Sequence, residues 1–279
     1  MAKLPVGIQV YGLRDLLENT PENFEAVMTE IKKMGYDGVE LAGLYGIEPA
    51  KIKEILDRVG LIPISAHVEF ALMINDLDKV IEDYKTIGVK YLVMPYMAEE
   101  YRPINPEGFE KFIPLLNEIG AKIAAAGFTF LYHNHDFEFV RLESGEYGYD
   151  KMFGSIPHDN LQCELDTCWC DVATGQPSQF IEKYTDRIPI VHLKDYIKKG
   201  QPKNMYKLIG IDADEEEEAD DSYFGFRSVG FGQMIWEPIL ESSLKAHSEW
   251  VVVEQDEHYE LSPLECARRS IEYLRILGW

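Results

Sequence analysis

The chain is poor in positive charge. It has 27 Lys and Arg against 49 Asp and Glu, a formal net charge of −22. Gripping nucleic acid through its phosphates needs a Lys/Arg footprint, and none is visible. Long apolar runs are also missing, and no stretch approaches the length of a membrane span. The opening residues, MAKLPVGIQVYG, lack the apolar core of a secretory signal, so a cytoplasmic protein is expected. Cysteine is scarce. Cys163, Cys168, Cys170 and Cys266 have neither CxxC nor zinc-ribbon spacing and read as reduced thiols. No GxGxxG follows the first strand-like run, which removes the dinucleotide-binding signature. No phosphate-cradling glycine loop or paired-arginine site is evident, so nothing calls for a phosphorylated substrate.

What is present is a regular alternation. Strand-like runs occur at Val6 to Tyr11, Asp37 to Ala42, Ile62 to Val68, Tyr91 to Tyr96, Phe128 to Tyr132, Leu161 to Thr167, Ile188 to Asp195 and Trp250 to Asp256. Helical stripes lie between them. Thr20-Pro21-Glu22 reads as an N-cap, an N1 proline and an acidic first turn, and the stripe Phe24, Val27, Met28, Ile31 ends at Gly35. Further helices are expected over Pro49 to Val59, Asn75 to Ile87, Pro106 to Ala126, Asp150 to Phe153, Pro177 to Tyr184, Trp236 to Ala246 and Pro263 to Leu277. Eight βα units with apolar strands predict a parallel sheet covered on both faces. The length suits one (β/α)8 TIM barrel of the α/β class spanning 1–279, with an open doubly wound sheet as runner-up. A long irregular insertion is expected at 196–233. It holds the acidic run DADEEEEADD, Asp212 to Asp221, read as a solvated charge block, with a lid-flanking role as the bolder alternative.

In such a barrel the chemistry gathers at the C-terminal strand ends. Those ends supply Gln9 and Tyr11, Glu40, His67, His133 with His135, Asp166, His192 with Lys194, and Glu254 with Asp256. The densest stretch is FLYHNHDFEF, Phe130 to Phe139. Period-two alternation puts His133 and His135 on one face. Carboxylates and imidazoles together form a borderline-hard site suited to Mn²⁺, Co²⁺, Zn²⁺ or Mg²⁺. One such ion would polarise a carbonyl and its neighbouring hydroxyl and so favour an enediolate, with flanking groups moving protons.

The segments GIQVYGLRD, GYDGVEL, SAHV, YHNHDFEF, ELDTCW, RIPIVHLKD, VGFG and VVVEQDE run in order along essentially the whole chain. As a set they resemble the sugar phosphate isomerase/epimerase group of xylose isomerase-like TIM barrels. That group includes myo-inosose dehydratase, ketose 3-epimerases and 3-dehydroshikimate dehydratase. The resemblance implies one divalent metal ion held by Asp166, His192 and Glu254. The fourth position, commonly a glutamate, is occupied here by His133, with Glu138 reaching back as the alternative. It implies His135, Glu254, Glu138 and Lys194 as proton-handling groups. Gln9, Tyr11, Glu40, His67, Trp169, Arg227 and Asp256 are candidates for the substrate. Trp169 would pack on a sugar ring or only on a cover that includes Phe224, Arg227 and Phe231.

The expected activity is isomerisation or epimerisation of a sugar, keto-sugar or cyclitol by proton abstraction next to a carbonyl. Dehydration of a keto-sugar or inosose is the alternative. An endonuclease IV-like phosphodiesterase is disfavoured by the acidic charge, and a non-catalytic sugar binder by the near-complete ligand set. A small carbohydrate is the expected partner, with no nucleic acid or membrane. The resemblance implies a homodimer or homotetramer.

Overall fold

The computed structural model describes residues 3–17, 19–200, 205 and 222–279. Eight parallel strands close into a barrel: β1 (Val6–Gln9), β2 (Gly38–Ala42), β3 (Ile62–His67), β4 (Tyr91–Met94), β5 (Thr129–His133), β6 (Gln162–Asp166), β7 (Ile190–Leu193) and β10 (Trp250–Val253). β1 pairs with both β2 and β10, which completes the ring. The open-sheet alternative is thereby removed.

The helices start and stop where local chemistry directs. Thr20 accepts from the Asn23 amide ahead of the helix Pro21–Met34, and Gly35 ends it at φ 102. A side chain at this positive φ would be strained, so glycine stops the helix there at little cost. Inside the barrel, Ile64, Tyr91, Val93, Leu131, Ile190 and Val252 form a separate apolar plug. Gly7 and Gly38 make room for it. A Cβ on Gly7 would lie 2.4 Å from Ile64 Cδ1, and one on Gly38 would lie 2.6 Å from the Ile62 carbonyl oxygen. Above this plug the inward-facing residues turn polar, and that change of layer positions the site.

Three expectations need correction. Two helices stand here: Phe70–Asn75, which was not expected, and Leu77–Ile87, the helix expected over Asn75 to Ile87, with Asp76 at φ −138 between them. The first of them lies at the barrel mouth and went unseen because six residues give too short a periodic stripe. A further helix, Thr167–Thr174, follows β6 directly, capped by Asp166. The region 196–233 is not wholly irregular. β8 (Asp195–Lys199) and β9 (Tyr223–Arg227) form an antiparallel ribbon. The acidic run from Asp212 to Asp221 lies outside the described residues.

The loop after β9 is pinned by one carboxylate. Asp195 accepts from the amides of Gly230, Gly232 and Met234 and from the Trp236 indole. A Cβ at Gly230 would lie within 2.5 Å of the Tyr273 ring, which explains the glycines of the VGFG segment.

Candidate active site

The strand ends carry their ionisable side chains into one buried cluster. His133, Asp166, His192 and Glu254 each offer one ligand atom, and these atoms all lie within 4.8 Å of one another. His133 Nε2 stands 3.7 Å from Asp166 and 3.9 Å from Glu254, and His192 Nδ1 stands 2.9 Å from Glu254. Asp166 is oriented from two sides. Its Oδ1 accepts from the Trp169 amide at 2.9 Å, capping the following helix. Its backbone is held by Asn134, whose Oδ1 accepts from the Asp166 amide at 3.0 Å. Oδ2 of Asp166 remains buried without a hydrogen bond. An orphaned carboxylate oxygen beside two imidazoles and a second carboxylate fits a divalent cation.

A second layer lies one strand step deeper. Glu164 precedes Asp166 by two residues, so both point inward. Its Oε2 is 3.1 Å from His133 Nδ1, 2.7 Å from His67 Nε2 and 3.3 Å from His192 Nε2. Glu40 Oε1 lies 2.9 Å from His192 Nε2 and 3.0 Å from His67 Nε2, while Ser65 donates to its other oxygen. Each ligand imidazole therefore shows one ring nitrogen to Asp166 and Glu254 and the other to the deeper carboxylates. A carboxylate behind a ligating histidine fixes its tautomer and raises its basicity. Sequence reasoning missed Glu164, Asn134 and Ser65. Extending the period-two count backwards from Asp166 would have found Glu164.

Electrostatics separates the groups. Burial works against the charge on Glu164, but His192 and His67 overcome it and hold the carboxyl well below the usual range. Burial also opposes charge on Glu254, which Lys194 and His192 likewise overcome. At Asp166 burial wins over Lys194 and His133, and the carboxyl is raised. Burial pulls His67 down, yet Glu40 and Glu164 raise it to about 10. His135 is the exception among the imidazoles. Burial, with His133 and Lys194 nearby, pushes it well below the ordinary histidine range. Its ring stacks on Phe137 at 5.2 Å and lies 5.6 Å from the His133 ring, and Nδ1 has no hydrogen-bond partner. A neutral ring with a free nitrogen is a proton acceptor.

A cavity of about 710 Å³ opens on this cluster. Its walls include Gln9, Tyr11, His67, His133, His135, Lys194, Glu254 and Asp256. Lys194 Nζ sits 2.7 Å from Asp256, 3.0 Å from Glu254 and 3.4 Å from Asp166. Asp256 is pushed up to about 7, chiefly by burial, with Lys194 pulling it down. Glu40 lies behind the wall as a support to His192 and His67 rather than in the cavity.

Three further expected site residues stand elsewhere. Glu138 does not reach back to the ligands. Its carboxyl accepts from the Tyr132 hydroxyl and, at 2.8 Å, from the His135 amide, and burial raises it to about 8. It locks the turn that carries His135, so neither a ligand role nor direct proton transfer is open to it. Trp169 is fully buried and stacks on Phe224 of the β8–β9 ribbon at 5.6 Å, outside the cavity wall. Of the two readings for Trp169, packing on the cover is the observed one. Arg227 lies over the Tyr223 and Tyr259 rings at 5.5 and 5.2 Å and is not part of the wall.

With this geometry in view, the chain was compared with known proteins. The family description "Xylose isomerase-like TIM barrel" matches residues 28–277. The chain belongs to that family. An inosose dehydratase of Clostridium botulinum is 24% identical, with 97% of this chain and 94% of that protein covered. A sugar phosphate isomerase/epimerase of Parabacteroides distasonis superposes with TM-score 0.75 at 21% identity, covering 98% of each chain. The probable 3-DHS dehydratase AsbF of Bacillus anthracis gives TM-score 0.76 at 12% identity, covering 98% of this chain and 99% of that one. The IolI protein, solved with a bound zinc atom, gives 0.69 at 17% identity, covering 98% and 97%. At these identities the structural likenesses establish the barrel alone. Among the described residues no helix is long and apolar enough to cross a membrane.

Proposed function

We propose that the protein is a divalent-metal-dependent enzyme that removes a proton next to a carbonyl of a sugar, keto-sugar or cyclitol. The observation that carries this reading is the meeting of two groups at one cavity. One is the ligand cluster His133, Asp166, His192 and Glu254. The other is the neutral His135 beside it, whose Nδ1 has no hydrogen bond. A divalent ion held by the cluster supplies Lewis acidity to a carbonyl oxygen. The protein supplies the rest. His135 would accept the proton from carbon at its Nδ1, which has no hydrogen bond, and the Glu254 carboxylate nearby favours the charge the ring would gain. Gln9 and Tyr11 on the wall offer an amide and a hydroxyl to substrate oxygens. Lys194 keeps three carboxylates partly neutralised and orients Asp256.

A second step decides between product classes. Return of the proton to carbon gives an isomer or epimer. Loss of a neighbouring hydroxyl gives a dehydrated product and needs an acid placed apart from His135. The Lys194–Asp256 pair, on the β7 and β10 ends, meets that need, because Asp256 titrates near 7. It supports elimination as the second reading. So does the likeness to proteins named inosose dehydratase. Where the glutamate-based epimerase pattern calls for a carboxylate on the fifth strand, this chain has His133, which weakens a two-glutamate epimerisation.

The test is solvent-deuterium exchange across inososes and keto-sugars with added Mn²⁺. Deuterium should enter the carbon next to the carbonyl, with or without loss of water. No exchange into any carbonyl compound, with metal bound, refutes the reading.

A further inference from the structure

The cavity is divided. Its β5, β7 and β10 side carries the imidazoles and carboxylates of the cluster. Its β3 and β4 side, apart from His67 and Glu69, is apolar, built from Val68, Phe70 and Leu72 after β3 and Pro95, Tyr96 and Ala98 after β4. Leu72 is 45% exposed and Tyr96 38% exposed, although both border a buried polar site. A single six-membered polyol ring bound at the cluster would leave this shelf bare. Cavities of roughly 300–1,000 Å³ enclose drug-sized ligands, and this one measures about 710 Å³.

The charge on the wall narrows the ligand further. Lys194 is the one lysine or arginine among the described lining residues, and Asp256, Glu254 and Asp166 already surround it, while the charge on His67 is taken up by Glu40 and Glu164. Glu69, Glu254 and Asp256 face the same space. A phosphate dianion would find no free counter-charge and several carboxylates.

We propose that the substrate is an uncharged keto-sugar or keto-cyclitol derivative bearing an apolar substituent, such as an aryl glycoside of a keto-sugar, and not a phosphate ester. The ring lies at the cluster and the substituent covers the shelf made by the Phe70–Asn75 helix and the β4 end. This rests on the carbon-acid reading above for the place of the ring. The continuity of shelf and cluster within one cavity selects the substituent as occupant, ahead of a second copy of the chain.

The experiment measures equilibrium binding of glucose, glucose 6-phosphate and phenyl β-D-glucoside to the full Mn²⁺-loaded chain. The phenyl glucoside should bind about tenfold tighter than glucose or better, about 1.4 kcal/mol, and the 6-phosphate more weakly than glucose. Leu72→Ser should erase the phenyl advantage, while deuterium exchange into a small inosose stays unchanged. A tighter 6-phosphate, no gain from the phenyl group, or no measurable binding of the phenyl glucoside overturns the proposal. So does a Leu72→Ser variant that dissociates an oligomer in sedimentation yet keeps the phenyl preference, since a second copy then covers the shelf. Exchange into the inosose is read separately. Its absence refutes the carbon-acid reading, whereas exchange without phenyl preference refutes only the shelf.

Discussion

Glu164→Gln tests whether the deeper layer positions the ligands or merely fills space. The glutamine keeps the shape of the side chain and removes its charge. One carboxylate oxygen now stands within 2.7–3.3 Å of three imidazole nitrogens, those of His67, His133 and His192. An amide oxygen can take that place, but it carries no charge, and the N–H donors fall where Oε1 has no hydrogen bond, so the three rings lose the charged acceptor that fixes their tautomers. The outward nitrogens of His133 and His192 then lose their fixed aim at Asp166 and Glu254. Removing a carboxylate behind a ligating histidine costs about 10–100-fold in metal affinity, which is about 1.4–2.7 kcal/mol. The measurement is a competition titration against a chromophoric chelator at fixed pH, with near-ultraviolet circular dichroism as the control for folding. Unchanged affinity in a folded Glu164→Gln protein would refute the positioning argument. A variant that also fails to fold is separated by Glu40→Gln. That change removes the charge from the 2.9 Å contact to His192 and should lower affinity by the smaller part of the same range.

Further outcomes follow from the same geometry. Asp166→Asn, His192→Ala and Glu254→Gln each delete a direct ligand, so bound metal measured by mass spectrometry should fall sharply in all three, and in His133→Ala as well. Metal affinity should rise with pH by about tenfold per unit through and beyond the ordinary histidine range. His192 must lose its proton to bind, and Glu164, Glu40 and Glu254 overcome burial to hold that proton on; a flat affinity between pH 6 and 8 would contradict this. His135→Ala should keep full metal content and lower turnover about 10²–10⁴-fold, checked by metal analysis and deuterium exchange on one preparation. Glu138→Gln should retain metal and activity. Because burial raises Glu138 to about 8, the wild type loses stability as pH climbs from the normal carboxyl range towards 8, and the glutamine variant should lose less, read as melting temperature against pH.

The barrel was legible because each βα unit announces itself locally. Thr20-Pro21 opens a helix, Gly35 and Gly60 close helices in the left-handed conformation, and apolar strands lie between. The clustering of His133, Asp166, His192 and Glu254 was legible because strand ends are where a barrel keeps its chemistry. What stayed hidden depends on direction rather than identity. Glu138 sits five residues after His133, within plausible reach, yet the turn at Phe137–Phe139 aims it at Tyr132. Trp169 and Arg227 belong to a cover whose ribbon, β8–β9, pairs across residues distant in sequence, so no local pattern marks it. The Phe70–Asn75 helix is too short for periodicity to reveal.

The two polar layers also explain why the barrel tolerates so much buried charge. Glu40, Glu164, Asp166, Glu254 and Asp256 are all buried, and Lys194 is the single buried lysine among them. Left so, the cluster would be strongly anionic in a low-dielectric interior, which is costly. The chain offsets this in stages. His67, raised to about 10 between Glu40 and Glu164, carries one positive charge at neutral pH. Asp256, raised to about 7, holds a proton part of the time. His192 keeps its proton while no ion competes for it. A divalent cation held by His133, Asp166, His192 and Glu254 would take the place of that proton and supply charge beside Asp166 Oδ2, which has no hydrogen bond. His67 offsets one of the two deeper carboxylates, Glu40 and Glu164, and the outer carboxylates rely on Lys194 and on the proton of His192. The outer layer borders the cavity beside His135, so a divalent ion held by it would lie within a substrate's reach.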